Sequence, residues 1–368
     1  MVAPPWVRIP PPRYGGTEAV IDVLARGLVA AGHEVVLFAS GDSTCPVDRR
    51  FLHPTALGTL GSVEDEVLQV QAAYRYLAGQ VDIIHDHTIA RPQRLLALAH
   101  PTPVVHTNHG PFTPDNLRDY ERVARRVPVI AISRAQAASA PTVAVATVIH
   151  HGIEVDAIPS GDGAGGYVAF LGRMTADKGA HRAVRTARAA GVPIRLAAKM
   201  WEPLERAYFA REVEPLLGPD ATYVGELGPR AKINLLRGAI ALLNPIRWPE
   251  PFGLAMVEAM ATGTPVLTFR EGSAPEIVED GITGFLCDDV QDLAAAVVKA
   301  RSIDRAGCRA RVRQRFSATR MVEDHVRLYL DVIASHQRRL STTAKPGSLA
   351  GSDPLPVGSP VPMMTQSA

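Results

Sequence analysis

AIALLNPIRWPEPFGLAMVEAMATGTPVLTF, residues 239–269, reads as strand, loop, helix and strand. Residues 239–243 are apolar without alternation, the pattern of a parallel strand buried on both faces. Pro245, Pro249 and Pro251 forbid further pairing and force a loop at the strand's C-terminal end. A helix is predicted to begin near Gly253, with Leu254, Val257, Met260 and Ala261 as its apolar face. Gly263 stops it, and residues 265–269 return as a strand. In an open α/β sheet, ligands sit outside the carboxyl ends of the strands, which is where this loop falls.

The chemistry of the loop suits an anion. The N–H groups of Phe252, Gly253 and Leu254 lack helical partners and lie at the positive end of the helix dipole. Gly253 lets a ligand approach the backbone closely. Glu250 and Glu258 bracket the site, and Glu258 lies roughly 7–8 Å along the helix axis from Gly253. That spacing matches a diphosphate at the helix start and a ribose at Glu258. A plainer reading stays open on spacing alone: Glu250 complements the dipole and Glu258 is a solvated helix residue.

PEPFG followed by VEAMATGTPV, residues 249–266, resembles the glutamate–seven residues–glutamate signature of retaining nucleotide-sugar glycosyltransferases of family 4. GSAPEIVEDGITGFL, residues 272–286, is similar to the segment that follows it in that family. The resemblance spans about residues 10–330. It implies an α/β chain of GT-B type, two Rossmann-like domains whose parallel sheets face each other across a cleft.

Composition sets the outer bounds. The 368 residues allow two domains, and 46% hydrophobic with 21% charged residues is ordinary for an α/β protein. A net charge of +2 gives no reason to propose nucleic acid as a partner. Eleven Lys and Arg against four Asp and Glu fall in residues 299–339, so the last helices are basic. This reads first as a solvated face, and second as a weak peripheral attraction to anionic membrane. Three widely spaced cysteines fit a reducing cytoplasm, and no apolar run approaches the ~18 residues of a membrane span.

Along the chain, a proline-rich entry ends in Gly15–Gly16, and residues 17–31 read as a helix. By itself a Gly-Gly pair is a tight turn. The resemblance brings Gly15 and Gly16 toward the donor diphosphate from the opposite domain. Strands are predicted over 33–40, 81–87, 102–110, 128–133 and 147–156. His85, Asp86, His87 and His109 gather at two strand ends, but the spacing of a zinc-protease helix is absent and no metal site is predicted. The resemblance assigns His109 to the reacting sugar. Residues 160–166, SGDGAGG, are the clearest linker. The second half opens with a strand that delivers Arg173 to its C-terminal end. Lys178 follows before Gly179 at a helix start. Two cations there suit a diphosphate leaving group that gains charge as the glycosidic bond breaks, and GR followed by DKG also fits the family pattern.

The resulting expectation is a cytoplasmic, metal-independent hexosyltransferase acting with retention. Its donor is a nucleotide sugar, UDP-glucose-like or GDP-mannose-like, and its acceptor a sugar, lipid or small molecule. No cofactor is expected beyond the nucleotide sugar as co-substrate. Arg173, Lys178 and the Phe252–Leu254 amides would hold the diphosphate, Glu258 the ribose, Glu250 the sugar hydroxyls, and His109 would orient the sugar. Residues 1–160 form the acceptor domain, 161–318 the nucleotide-sugar domain, 319–338 a helix crossing back to the first domain, and 339–368 a disordered tail. Pro4 and Pro5 leave at most three residues of a first strand able to pair, so that strand is expected to be truncated, with the true start upstream. Three rivals are a phosphorylase or epimerase in the same cleft, a non-catalytic binding protein, and a nicotinamide-dependent oxidoreductase. The last needs a G-x-G-x-x-G between strand and helix, which neither glycine loop supplies.

Overall fold

The computed structural model describes residues 1–58, 63–89 and 101–343. In chain order the first half comprises α1 (Gly16–Ala30), β1 (Val36–Phe38), β2 (Asp48–Arg50), α2 (Val63–Leu77), β3 (Ile84–Asp86), β4 (Val104–Thr107), α3 (Pro114–Val123), β5 (Val129–Ala131), α4 (Arg134–Ala138) and β6 (Val145–Val148). The second comprises β7 (Val168–Arg173), α5 (Ala180–Ala189), β8 (Ile194–Lys199), α6 (Pro203–Tyr208), β9 (Ala221–Gly225), α7 (Pro229–Gly238), β10 (Leu242–Asn244), α8 (Leu254–Ala261), β11 (Val266–Phe269), α9 (Ala274–Ile277), β12 (Gly284–Cys287) and α10 (Val290–Ala300). Two helices follow, α11 (Arg305–Phe316) and α12 (Ala318–Thr343).

Each half is a parallel sheet flanked by helices, so all strand C-termini in a half point the same way. In the second, the order is β12-β11-β10-β7-β8-β9. Val168, Phe170, Leu196, Leu243 and Leu267 are buried in one of its cores, while Ala169, Leu242 and Val266 face the other. In the first, β3-β4-β5-β6 and β1-β2 are joined by Val2, which bridges Phe38 and Asp86. Val2 N–H donates to His85 O at 2.8 Å and Ala3 N–H to Phe38 O at 2.9 Å, and then Pro4 and Pro5 end the pairing.

The final helices differ from the sequence expectation. α11 ends at Phe316, Ser317 is extended, and α12 starts anew at Ala318. It packs Met321, Val322, Tyr329 and Val332 against Val20, Leu24 and Leu28 of α1. A Cβ on Gly27 would meet Val322 Cγ2 at 2.5 Å, so the bare glycine sets how closely these helices cross. Helix continues through residues 339–343, where Arg339 and Leu340 favour it, rather than giving way to a tail at 339. The remainder of that tail, 344–368, lies outside the described residues.

The basic face also differs. The α11 arginines are not simply solvated but reach across the fold. Arg305 Nε donates to Gly161 O at 2.9 Å, and Arg309 donates to Ile158 O at 2.6 Å, Val155 O at 2.7 Å and Ala261 O. Arg315 pairs with Glu279 at 2.8 Å. These bonds stitch residues 155–161, the passage between the sheets, onto the second domain.

Candidate functional site

The two sets of strand ends open into one cleft of about 550 Å³. Gly15, Gly16, His109, Arg173, Lys178, Glu250, Phe252, Gly253, Leu254 and Glu258 all line it, whereas His85, Asp86 and His87 do not. Its size is that of a small-molecule site.

On the second-domain side the loop after β10 turns into α8 through Gly253, whose φ of 87° is a left-handed conformation that glycine adopts without penalty. The N–H groups of Phe252, Gly253 and Leu254 donate to no protein acceptor among the described residues. All three residues line the cleft, at the positive end of the helix. Lys178 pairs with Glu250, whose carboxylate also accepts from Trp248 Nε1 at 3.1 Å. Glu258 accepts from Lys232 Nζ at 2.5 Å. Arg173 Nε lies 3.3 Å from Glu205. Both signature glutamates are ion-paired, and Glu258 is held by a lysine of the neighbouring helix rather than left to solvent alone.

On the first-domain side Gly15 caps α1 without a side-chain bond. His109 follows β4. Gln136 of α4 braces its loop from both sides, donating to Asn108 O at 2.9 Å and Gly110 O at 2.6 Å. His109 Nε2 shares a hydrogen bond of 2.9 Å with His87 Nδ1, and its ring stacks on His151 at 5.2 Å and 24°. His151 meets the Phe252 ring edge-on at 5.0 Å, joining the two domains at the back of the cleft. Burial pushes the His109 imidazole down to about 3, so it is neutral near pH 7. Among the described residues, no group of three or more His, Cys, Asp or Glu is arranged to hold a metal ion.

Sequence reasoning missed Lys232, His151, Lys199 and Trp201. Lys232 lies on a different helix from Glu258, and no spacing rule joins the two. His87 was noted only as a candidate metal ligand, whereas its ring nitrogen serves His109.

Comparison with known proteins now decides the lineage. Residues 14–161 match the family model Glycosyltransferase Family 4, and residues 165–302 match Glycosyl transferases group 1. The chain belongs to the family 4 glycosyltransferases. Its fold is GT-B. N-acetyl-alpha-D-glucosaminyl L-malate synthase of Bacillus anthracis is 37% identical over 115 residues, 29% of this chain and 30% of that protein. Thus the chain spans about a third of the length of the curated relatives it matches. Among solved structures, AviGT4, a glycosyltransferase involved in avilamycin A biosynthesis, aligns over 90% of this chain and 97% of its own at a TM-score of 0.70 and 24% identity. Anabaena HepE, in complex with UDP and glucose, aligns over 89% and 97% at 0.69 and 20% identity. Among the described residues of this family 4 chain, no helix is long and apolar enough to cross a membrane.

Proposed function

We propose that this protein is a retaining, metal-independent hexosyltransferase. It moves a hexose from a nucleotide-diphosphate sugar, UDP-glucose-like or GDP-mannose-like, to a hydroxyl of a sugar, lipid or small-molecule acceptor. The observation that carries the reading is that the unpaired amides at the start of α8 share one cleft with Arg173, Lys178, Glu250 and Glu258. When the C1–oxygen bond of the donor breaks, its electron pair leaves on the diphosphate. The helix start and the two cations face the charge that develops there, as a divalent ion would in another design. Lys178 passes from Glu250 to phosphate when the donor enters, which releases the Glu250 carboxylate to the sugar hydroxyls. Glu258, held by Lys232, accepts from the ribose. Neutral His109 orients the sugar without adding a cation. The acceptor hydroxyl attacks on the face the diphosphate leaves and passes its proton to a phosphate oxygen, so no protein nucleophile is needed. That HepE was solved with UDP and glucose supports a nucleotide-sugar donor.

A thermal-shift series with UDP, GDP and ADP, followed by donor hydrolysis assays with and without EDTA, tests the reading. At least one nucleotide should raise the melting temperature, and chelation should leave turnover untouched. Activity abolished by EDTA and restored by a divalent ion overturns metal independence. Failure of all three nucleotides to bind overturns the donor.

A further inference from the structure

Lys199 is a buried cleft cation, unlike the exposed Arg13, and the reading above leaves it idle. It ends β8, in register beside Arg173 at the end of β7, and is only 6% exposed. Arg173, Lys178 and Lys232 each have a glutamate. No carboxylate pairs with Lys199 among the described residues. Its Nζ lies instead 4.0 Å from the Trp201 ring centroid and 5.7 Å from that of Tyr14, a residue of the first-domain glycine loop. The acids whose charge reaches Lys199 are Glu205, Glu202, Glu226 and Glu18, none of which pairs with it directly among the described residues. Glu226 accepts from Trp201 Nε1 at 2.7 Å and from Tyr14 N–H at 3.1 Å, and so holds the two aromatic walls. Glu205 accepts from the Trp201 and Glu202 amides at 2.6 and 3.1 Å.

A cation withdrawn from water beside a second cation is costly unless an anion joins it. Aromatic faces return only part of that cost. We propose that Lys199 is an oxyanion ligand: with Arg173 it takes a phosphate group of a bound substrate at the mouth between Tyr14 and Trp201. The donor diphosphate and a phosphate carried by the acceptor offer the same chemistry there. The proposal rests on the nucleotide-sugar reading only for the first of these sources.

The test compares wild type with Lys199→Met and Lys199→Arg, using uridine, UMP and UDP by calorimetry. Inorganic phosphate is added in a second arm to UDP-saturated protein and read by thermal shift. Lys199→Met should weaken UDP about tenfold or more and leave uridine unchanged, while Lys199→Arg recovers most of the loss. That result assigns the donor phosphate. If UDP binding is retained but the phosphate-induced shift seen in wild type disappears in Lys199→Met, the ligand is the acceptor's phosphate. Unchanged affinity in both arms overturns the proposal, and Lys199 is then an aromatic-capped strut between the domains. If wild type binds no nucleotide, the donor reading fails, and the phosphate arm on unliganded protein decides Lys199 alone. A Lys199→Met chain that does not fold is replaced by Lys199→Gln.

Discussion

Glu258 and Lys232 lie 2.5 Å apart on neighbouring helices, and neither works as the other's replacement. Lysine holds the carboxylate where a ribose would meet it, so removing either partner misplaces the other. Glu258→Gln and Lys232→Met should each weaken UDP binding about tenfold, and the double variant should cost little more than either alone. Additive losses in a calorimetric double-mutant cycle would show that the two residues act independently. Glu250 makes the opposite case. If, as proposed, its lysine partner turns to phosphate, Glu250→Gln frees Lys178 and should leave UDP affinity equal or higher. The same change should lower turnover of the nucleotide sugar about a hundredfold, since the sugar loses a charged acceptor. A matching loss of UDP affinity would place Glu250 on the nucleotide rather than the sugar.

α8 carries its own supports at both ends, and only one of them was legible in the sequence. The start was readable because prolines, Gly253 and an apolar run each leave a local mark. At the other end Arg309 of α11 donates to Ala261 O, the last residue of α8, and to Val155 O and Ile158 O of the passage between sheets. A cation there complements the helix dipole and fixes the anion-binding element from behind. Arg309→Met should cost about 2–3 kcal/mol of stability, read from urea denaturation, because three carbonyls lose a charged donor. UDP affinity of the folded protein should stay within about threefold, since no ligand group is touched. The same contrast explains the rest of the comparison. β11 and the first half of β7 are buried on both faces and announce themselves as apolar runs. β2, Asp48–Arg50, is three polar residues that pair with β1 only because the sheet is already there. In α3 the marks are the Thr113–Asn116 pair around Pro114 and the apolar spacing of Leu117, Tyr120 and Val123. His87, Lys199 and Lys232 acquire meaning only from partners brought close by the tertiary fold.

The whole molecule is tied together by a chain of imidazoles, and that chain makes it sensitive to acid. His325 on α12, His85, His87, His109 and His151 follow one another at ring separations of 5.3, 3.8, 5.2 and 5.2 Å. The last abuts Phe252 of the second domain, so the chain runs from the crossing helix through the first sheet to the anion site. Burial is the leading cause in every case: it lowers His109 to about 3 and His325 to about 4, and holds His85, His87 and His151 well below the usual imidazole value. In the unfolded chain each returns to about 6.5. Below that pH the unfolded state takes up protons that the fold refuses, so stability is complete above pH 6.5 and falls as the pH drops toward 4. Glu18 acts in the opposite sense. Burial raises its carboxyl to about 7, so between about 4.5 and 7 the fold holds one proton that the unfolded chain has lost. Histidine outweighs it, and the net uptake on unfolding near pH 5 should exceed two protons, about 1.4 kcal/mol per pH unit for each. Urea denaturation at pH 7.5, 6.0 and 5.0 measures that slope, and His325→Leu should reduce it by about one proton while keeping a buried apolar residue against Met321. Stability that stays level from pH 7.5 to 5.0 would mean that water or a counter-charge reaches the imidazoles in the fold, and that the seam between the domains is wet.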